Sequence, residues 1–240
     1  MDVTAPPAPV RGVIFDKDGT LFDFSTTWEA WAAAFLRRAA KGDEALAERA
    51  GAAIGFDLLR ARFARDSIVI AGTPTEIAAE LAAHFPDLSP DDMILLLNQE
   101  ASRAPQAEAV PLVPLLTALR ERGLALGVAT NDAETPARAH LAEAQVDGLF
   151  DFIAGSDSGY GGKPAPGQLL GFCAQTGLTP DTVVMVGDST HDLMAGRAAG
   201  MRTLAVLTGL APREVLAPFA DAVLPDIGAL PAWLDEVAVP

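Results

Sequence analysis

Cysteine is nearly missing from this 240-residue chain. Cys173 is the only one, so no intrachain disulfide forms and no thiolate zinc site can be assembled. It sits in the helical pattern "LLGFCAQTG" and reads as a buried thiol. Lysine is almost as scarce, confined to Lys17, Lys41 and Lys163. Basic residues as a whole are outnumbered, with 17 Lys and Arg against 32 Asp and Glu and a formal net charge of −15. Such a chain lacks the basic surface that binding a nucleic-acid backbone demands, and a small anionic ligand would need a local cationic pocket. No run approaches the roughly 18 apolar residues of a membrane span, and the opening "MDVTAPPAPV" lacks the charged-then-apolar pattern of a secretory signal. The expectation is a soluble cytoplasmic protein with neither a nucleic-acid nor a membrane partner. Nothing in the sequence sets an oligomeric state.

Half of the residues are hydrophobic and 20% are charged, the composition of a folded globular chain. From about residue 110, short apolar runs alternate with helical patterns. "LALGVAT" (124–130), "FDFIAG" (150–155), "TVVMVGD" (182–188) and "RTLAVL" (202–207) read as strands. "PLLTALRERG", "TPARAHLAEAQ", "PGQLLGFCAQTG" and "HDLMAGRAAG" read as helices, several closed by glycine. This alternation predicts a parallel sheet covered by helices, with residues 10–15 as a further strand. Residues 24–108 break it: "TTWEAWAAAFLRRAA", "EALAERAGAAIG", "TEIAAELAAHF" and "PDDMILLLNQEASRA" are Ala- and Leu-rich helices with no strand run between them. The expected fold class is α/β, a Rossmann-like three-layer core of 1–23 and 109–240 with an inserted helical cap at 24–108. "TAPPAP" at 4–9 reads as a loose arm.

Strand ends in an open parallel sheet direct several loops into one crevice. After the first strand come Asp16-Lys17-Asp18-Gly19-Thr20, after the second Thr130-Asn131-Asp132, and after the fourth Gly187-Asp188-Ser189-Thr190-His191-Asp192; "GGKPAP" carries Lys163. Each fragment alone is weak, but four in this order are a specific signal. Asp16, Asp18 and Asp188 make an oxygen-rich, negative cluster suited to a hard divalent cation such as Mg²⁺. Thr130, the Asn131 backbone N–H and Lys163 can hold phosphoryl oxygens. A carboxylate can attack phosphorus to give an aspartyl-phosphate, and a second can protonate the leaving oxygen and later activate water. Asp132 is a candidate cap for the helix starting near Glu134, and Ser189 or Thr190 for the helix through "DLMAGRAAG". Period-two alternation points Lys17 away from Asp16 and Asp18, as a counter-charge from the far side.

"DKDGT", "TND", "KP" and "GDSTHD" resemble the four ordered motifs of the haloacid dehalogenase superfamily, in its Mg²⁺-dependent phosphatase branch, and the inserted helices resemble the cap of phosphoglycolate phosphatase-like members. The resemblance implies Asp16 as nucleophile and metal ligand, with Asp18 as general acid/base and metal ligand through its carbonyl. It implies Lys163 as the catalytic cation, Thr130, Asn131, Lys163 and Gly19 around the phosphate, and Asp188 on the metal. Asp192 would join the metal directly or through water. The implied activity is hydrolysis of a small phosphorylated metabolite, with phosphoglycolate the candidate substrate. A phosphosugar mutase or a non-catalytic phosphate-ligand sensor is the alternative. A phosphonate hydrolase of the cap-lysine kind is disfavoured because Lys41 is the cap's sole lysine. Lys17 departs from the apolar residue of many such members. Substrate choice would fall to the cap, where Arg62, Thr73 and Trp28 are the candidates, with Arg60 and Arg65 beside them.

Overall fold

The computed structural model describes residues 8–238. Its elements run, in chain order, β1 (Gly12–Phe15), α1 (Phe24–Ala39), α2 (Glu44–Ala53), β2 (Phe56–Asp57), β3 (Arg62–Phe63), α3 (Pro74–Leu81), α4 (Pro90–Ala101), α5 (Leu112–Glu121) and β4 (Ala125–Ala129). There follow α6 (Glu134–Glu143), β5 (Phe152–Ala154), α7 (Gly167–Thr176), β6 (Val183–Gly187), α8 (Thr190–Ala199), β7 (Arg202–Val206), α9 (Arg213–Leu216), β8 (Ala222–Leu224) and α10 (Leu230–Ala238). The arm expected at 4–9 lies, except for its last two residues, outside the described residues.

Six parallel strands form one sheet in the order β5-β4-β1-β6-β7-β8. Strand alternation divides their side chains between two apolar layers. Val13 and Phe15 of β1, with Val184 and Val186 of β6, face α5, α6 and α10 through Leu116, Leu141 and Trp233. Ile14 and Met185 face α7 and α8 through Phe172 and Ala195. The result is the three-layer α/β core expected. β1 is wholly buried at its centre, which is why its four residues are apolar without a break.

Phe172 shows how tightly the second layer is fitted. A Cβ on Gly127 would run into its ring, and one on Gly12 would press on the ring and run into Leu178, so both strands surrender a side chain here. Phe172→Ala removes a fully buried ring from a site that cannot collapse onto glycine, and it is expected to cost about 3–5 kcal/mol by urea unfolding.

Residues 24–104 gather around a separate apolar cluster that includes Trp31, Phe35, Ile77, Leu81 and Leu97. Helical spacing brings Trp28, Trp31 and Phe35 onto one face of α1, with Trp28 edge-on to Trp31 at 5.1 Å and Trp31 stacked on Phe35 at 5.6 Å. Two crossings join this segment to the sheet side by side, held by Asp23 N–H to Ala107 and Ala109 N–H to Leu21.

The sequence reading missed β2, β3, α9, β8 and α10. β2 and β3 form an antiparallel hairpin inside the segment expected to be all helical; at two residues each they are too short for period-two alternation to register. β8 is a half-buried edge strand and α10 the last helix, both beyond the stretch where alternation was clear.

Candidate active site

The chain runs β1-β4-β5 outward on one side of the sheet and then returns to β6 on the other side of β1. The loops leaving β1, β4 and β6 therefore share a crevice at the carboxyl ends of the strands, where the order reverses. Asp16 follows β1, Thr130 and Asn131 follow β4, and Asp188 follows β6; all line one cleft with Asp18, Lys163 and Asp192. The cleft, about 620 Å³ including its mouth, is roofed by residues of α1, α3, α4 and the loop before α3.

Lys163 is the electrostatic centre. Its Nζ donates to Asp16 Oδ1 at 2.5 Å and lies 2.6 Å from Asp192 Oδ1, with all three side chains almost fully buried. Burial alone would lower the ammonium's pKa, but Asp16 and Asp192 outweigh it and hold the group charged. Asp192 has little freedom to turn elsewhere. Its Oδ2 accepts from the Ser189 N–H at 3.0 Å and from the Ser189 hydroxyl at 2.7 Å, while Ser189 caps α8. Asn131 locks the same wall: its Oδ1 accepts the Lys163 N–H at 2.7 Å, and its Nδ2 donates to the carbonyls of Lys163 (2.9 Å) and Ala71 (2.7 Å). The bond to Ala71 ties the roof to the loop that follows β4. Thr130 Oγ1 accepts from the Asp132 N–H at 3.1 Å.

Carboxylate oxygens of Asp16, Asp188 and Asp192 lie within 4.8 Å of one another, all buried. Burial, with Asp192 and Asp18 adding to it against the pull of Lys163, raises the Asp16 pKa to about 7; burial and then Asp16 and Asp192 raise Asp188 well above the ordinary range. An oxygen-only donor set that resists its own ionisation fits a hard divalent cation. Gly19, at φ +84°, lets the β1 loop press against this cluster, because a Cβ there would overlap the Asp188 carboxylate. A Cβ on Gly209 would likewise overlap the Asp188 carboxylate, and Thr208 donates to the Gly19 carbonyl at 2.6 Å. Neither Thr208 nor Gly209 was a sequence candidate, although "LTGL" follows a strand as the other loops do.

These shifts carry a pH dependence for the metal-free protein. In the unfolded chain Asp16 loses its proton near 3.8, whereas in the fold it keeps it to about 7. Between those values the native state binds more protons than the unfolded one, so stability falls as pH rises through that window. The slope is up to about 1.4 kcal/mol per pH unit for one such group, and Asp188 adds in the same direction. Urea unfolding in chelator is expected to show the fall, and saturating Mg²⁺ to flatten it.

Lys17 is fully buried and is not a bystander. Its Nζ lies 3.0 Å from Asp18 Oδ2, 2.9 Å from Asp132 Oδ2 and 2.9 Å from His140 Nδ1, with the Trp28 ring centroid 5.5 Å away. Alternation sends it away from Asp16, to Asp132 and His140, but the expected separation from Asp18 does not hold, because the chain turns sharply after β1 and brings Asp18 back onto it. Burial lowers its pKa less than Asp132 and Asp18 raise it. Burial, then the Lys17 charge, lowers His140 to about 4, so the ring is neutral, with Nδ1 accepting from Lys17 and Nε2–H donating to the Ala101 carbonyl at 2.7 Å. Asp132 is not the cap of α6 that its position suggests, since Ala133 holds the N-cap position with no side-chain cap hydrogen bond. Its carboxylate is taken by Lys17 and the Ala133 N–H, and the Glu134 N–H is met by Asp157 at 2.8 Å. Asp18 Oδ1 is left buried without a partner.

Of the cap candidates, Trp28 lines the cleft. Arg62 does not: it projects from β3 with 73% of its side chain exposed, 4.0 Å from Glu29. Arg60 pairs with Asp57 at the surface, and Arg65 is exposed. The Thr73 hydroxyl is engaged with Glu76 in the capping box of α3.

A family model for haloacid dehalogenase-like hydrolases matches residues 10–200. A phosphoglycolate phosphatase from Rhodospirillum rubrum is 34% identical, across 93% of this chain and 90% of its own. A phosphoglycolate phosphatase from Yersinia pestis is 31% identical, across 95% and 97%. Among solved structures, a predicted phosphoglycolate phosphatase from Haemophilus somnus superposes with a TM-score of 0.70 at 19% identity, covering 93% of this chain and 97% of that one. This last likeness bears on the fold.

Proposed function

The chain belongs to the haloacid dehalogenase-like hydrolase family and is a phosphatase acting on a small phosphate ester, and from that premise we propose an aspartyl-phosphate mechanism centred on Asp16. The observation that carries it is the buried Asp16–Lys163–Asp192 array beside Asp188, with Asp18 Oδ1 free in the same cleft. Asp16, Asp188 and the Asp18 carbonyl would hold Mg²⁺; Asp192, its oxygens already engaged, would reach the ion through water. Bound there, Mg²⁺ supplies positive charge that keeps the carboxylates ionised and offsets the charge of the phosphoryl group.

A carboxylate oxygen of Asp16 attacks phosphorus, the bond from phosphorus to the ester oxygen breaks, and the departing oxygen takes a proton from Asp18. Water then gives a proton to Asp18 and attacks the same phosphorus, releasing inorganic phosphate and restoring Asp16. Lys163, Thr130 and the amide of Asn131 orient the phosphoryl oxygens, and the loop turning at Gly19 brings further amides near them. Residues 1–23 and 109–240 act as the catalytic core and 24–108 as a cap, a division supported by the separate apolar cluster of residues 24–104 and the paired crossings. Phosphoglycolate, in the names of the relatives, is the first compound to try. A Mg²⁺-supplemented panel of phosphomonoesters with phosphate release as the readout tests the activity, and its absence on every member would overturn it.

Lys17 acts through Asp18. By holding Oδ2 it leaves Oδ1 as the proton-carrying atom aimed at the ester oxygen. Lys17→Met is expected to lower kcat on alkyl phosphates about 10²-fold while costing less on p-nitrophenyl phosphate, whose leaving group needs little protonation. Equal losses on both would contradict this positioning role.

A further inference from the structure

Resting on the phosphatase reading, we infer that the alcohol part of the substrate is uncharged and bears a hydrogen-bond acceptor that meets Trp28 Nε1, so that a carboxylate-bearing ester is not the preferred substrate. The cap side of the cleft offers no Arg, Lys or His among its described lining residues; it presents Phe24, Trp28, Trp31, Ile70, Ile77 and Leu97. The lining's one lysine, Lys163, is committed to Asp16 and Asp192, and His191 stands on the core side at the start of α8. The arginines nearest in sequence, Arg60, Arg62 and Arg65, are exposed to solvent in the hairpin region. A carboxylate placed against this wall would lose its water with no cation in return, close to a cluster of acidic side chains.

The wall is nevertheless not featureless. Trp31 Nε1–H is satisfied by the Leu97 carbonyl at 3.1 Å, but the N–H of Trp28, a residue only 8% exposed, has no partner. A buried indole N–H normally finds an acceptor. Lys17 sits over the Trp28 ring at 5.5 Å and Trp31 packs against it edge-on, which holds this cleft-lining ring in place and leaves its N–H a buried donor without an acceptor. Asn98, half-buried on α4, adds a second neutral polar group to the same wall. An uncharged leaving group with a carbonyl, ether or hydroxyl oxygen fills this arrangement, and the Phe24, Ile77 and Leu97 side chains pack around its carbon atoms.

The test compares the Mg²⁺-loaded enzyme on three probes of similar size: phosphoglycolate, its uncharged amide phosphoglycolamide, and propyl phosphate, which lacks the acceptor. The amide is expected to have the highest kcat/KM, at least about tenfold above phosphoglycolate. Trp28→Phe keeps an aromatic ring but removes the N–H, and it is expected to lower the amide-to-propyl ratio of kcat/KM about tenfold. Equal or better turnover of phosphoglycolate, or an unchanged ratio in Trp28→Phe, would overturn the inference while leaving the phosphatase reading in place. Should none of the three, nor p-nitrophenyl phosphate, release phosphate, the phosphatase reading itself fails and this inference with it.

Discussion

Replacing Asp16 with asparagine is expected to lower Mg²⁺-dependent phosphate release by at least about 10⁴-fold, the scale seen when a covalent catalyst loses its nucleophile. The amide nitrogen is not a nucleophile, and its carbonyl oxygen is too weak a one to displace an alkoxide. The same change also leaves Lys163 with Asp192 as its single carboxylate partner. Misfolding is not the expected cause. Asp16 is a buried carboxyl whose pKa is raised to about 7 by burial first of all, so an uncharged isostere relieves a desolvation cost at neutral pH. Urea unfolding of the metal-free variant should therefore show a midpoint no lower than that of the wild type, and a stable but inactive protein separates chemistry from folding.

Asp18→Asn should behave differently according to leaving group. With an alkyl phosphate, loss of the general acid is expected to slow turnover about 10²–10⁴-fold. With p-nitrophenyl phosphate, the phenolate leaves without help, so Asp16 is phosphorylated quickly, while hydrolysis of the aspartyl-phosphate lacks its base. The expected record is a rapid burst of about one nitrophenolate per enzyme followed by a slow phase. A uniform slowing with no burst would mean that Asp18 does not serve both steps.

Much of this site was legible because local physics and chain order point the same way. "VIF" reads as a buried strand because β1 has apolar layers on both faces, and a charged Asp16 directly behind it demands compensation. The loops carrying Thr130, Asn131, Lys163 and Asp188 follow from the strand–helix alternation, and the helices of residues 24–104 from their apolar spacing. The destination of Lys17 was not legible. Its partners Asp132 and His140 stand 115 and 123 residues away, and only the turn after β1 brings Asp18 onto it as well. That same recruitment is why the local rule for Asp132 as a helix cap failed. Arg62 drew attention by its charge, but a two-residue hairpin that no periodicity announces carries it to the surface. Thr208 and Gly209 were missed because Thr208 acts by holding the Gly19 carbonyl and Gly209 by admitting the Asp188 carboxylate, contacts that only the folded sheet creates. The mutase and sensor alternatives drawn from the motifs give way to hydrolysis, the activity in the names of relatives that match nearly the whole chain.

The central claim is that the phosphoryl group passes through Asp16. Its most direct test is acid-quenched mass spectrometry of the Asp18→Asn protein after mixing with Mg²⁺ and p-nitrophenyl phosphate, followed by peptide mapping. A single phosphoryl adduct on the peptide spanning Asp16, labile to hydroxylamine and absent from the Asp16→Asn/Asp18→Asn double variant, is the predicted result. A burst with no adduct, an adduct on Asp188 or Ser189, or a double variant labelled as fully as the single one would contradict it.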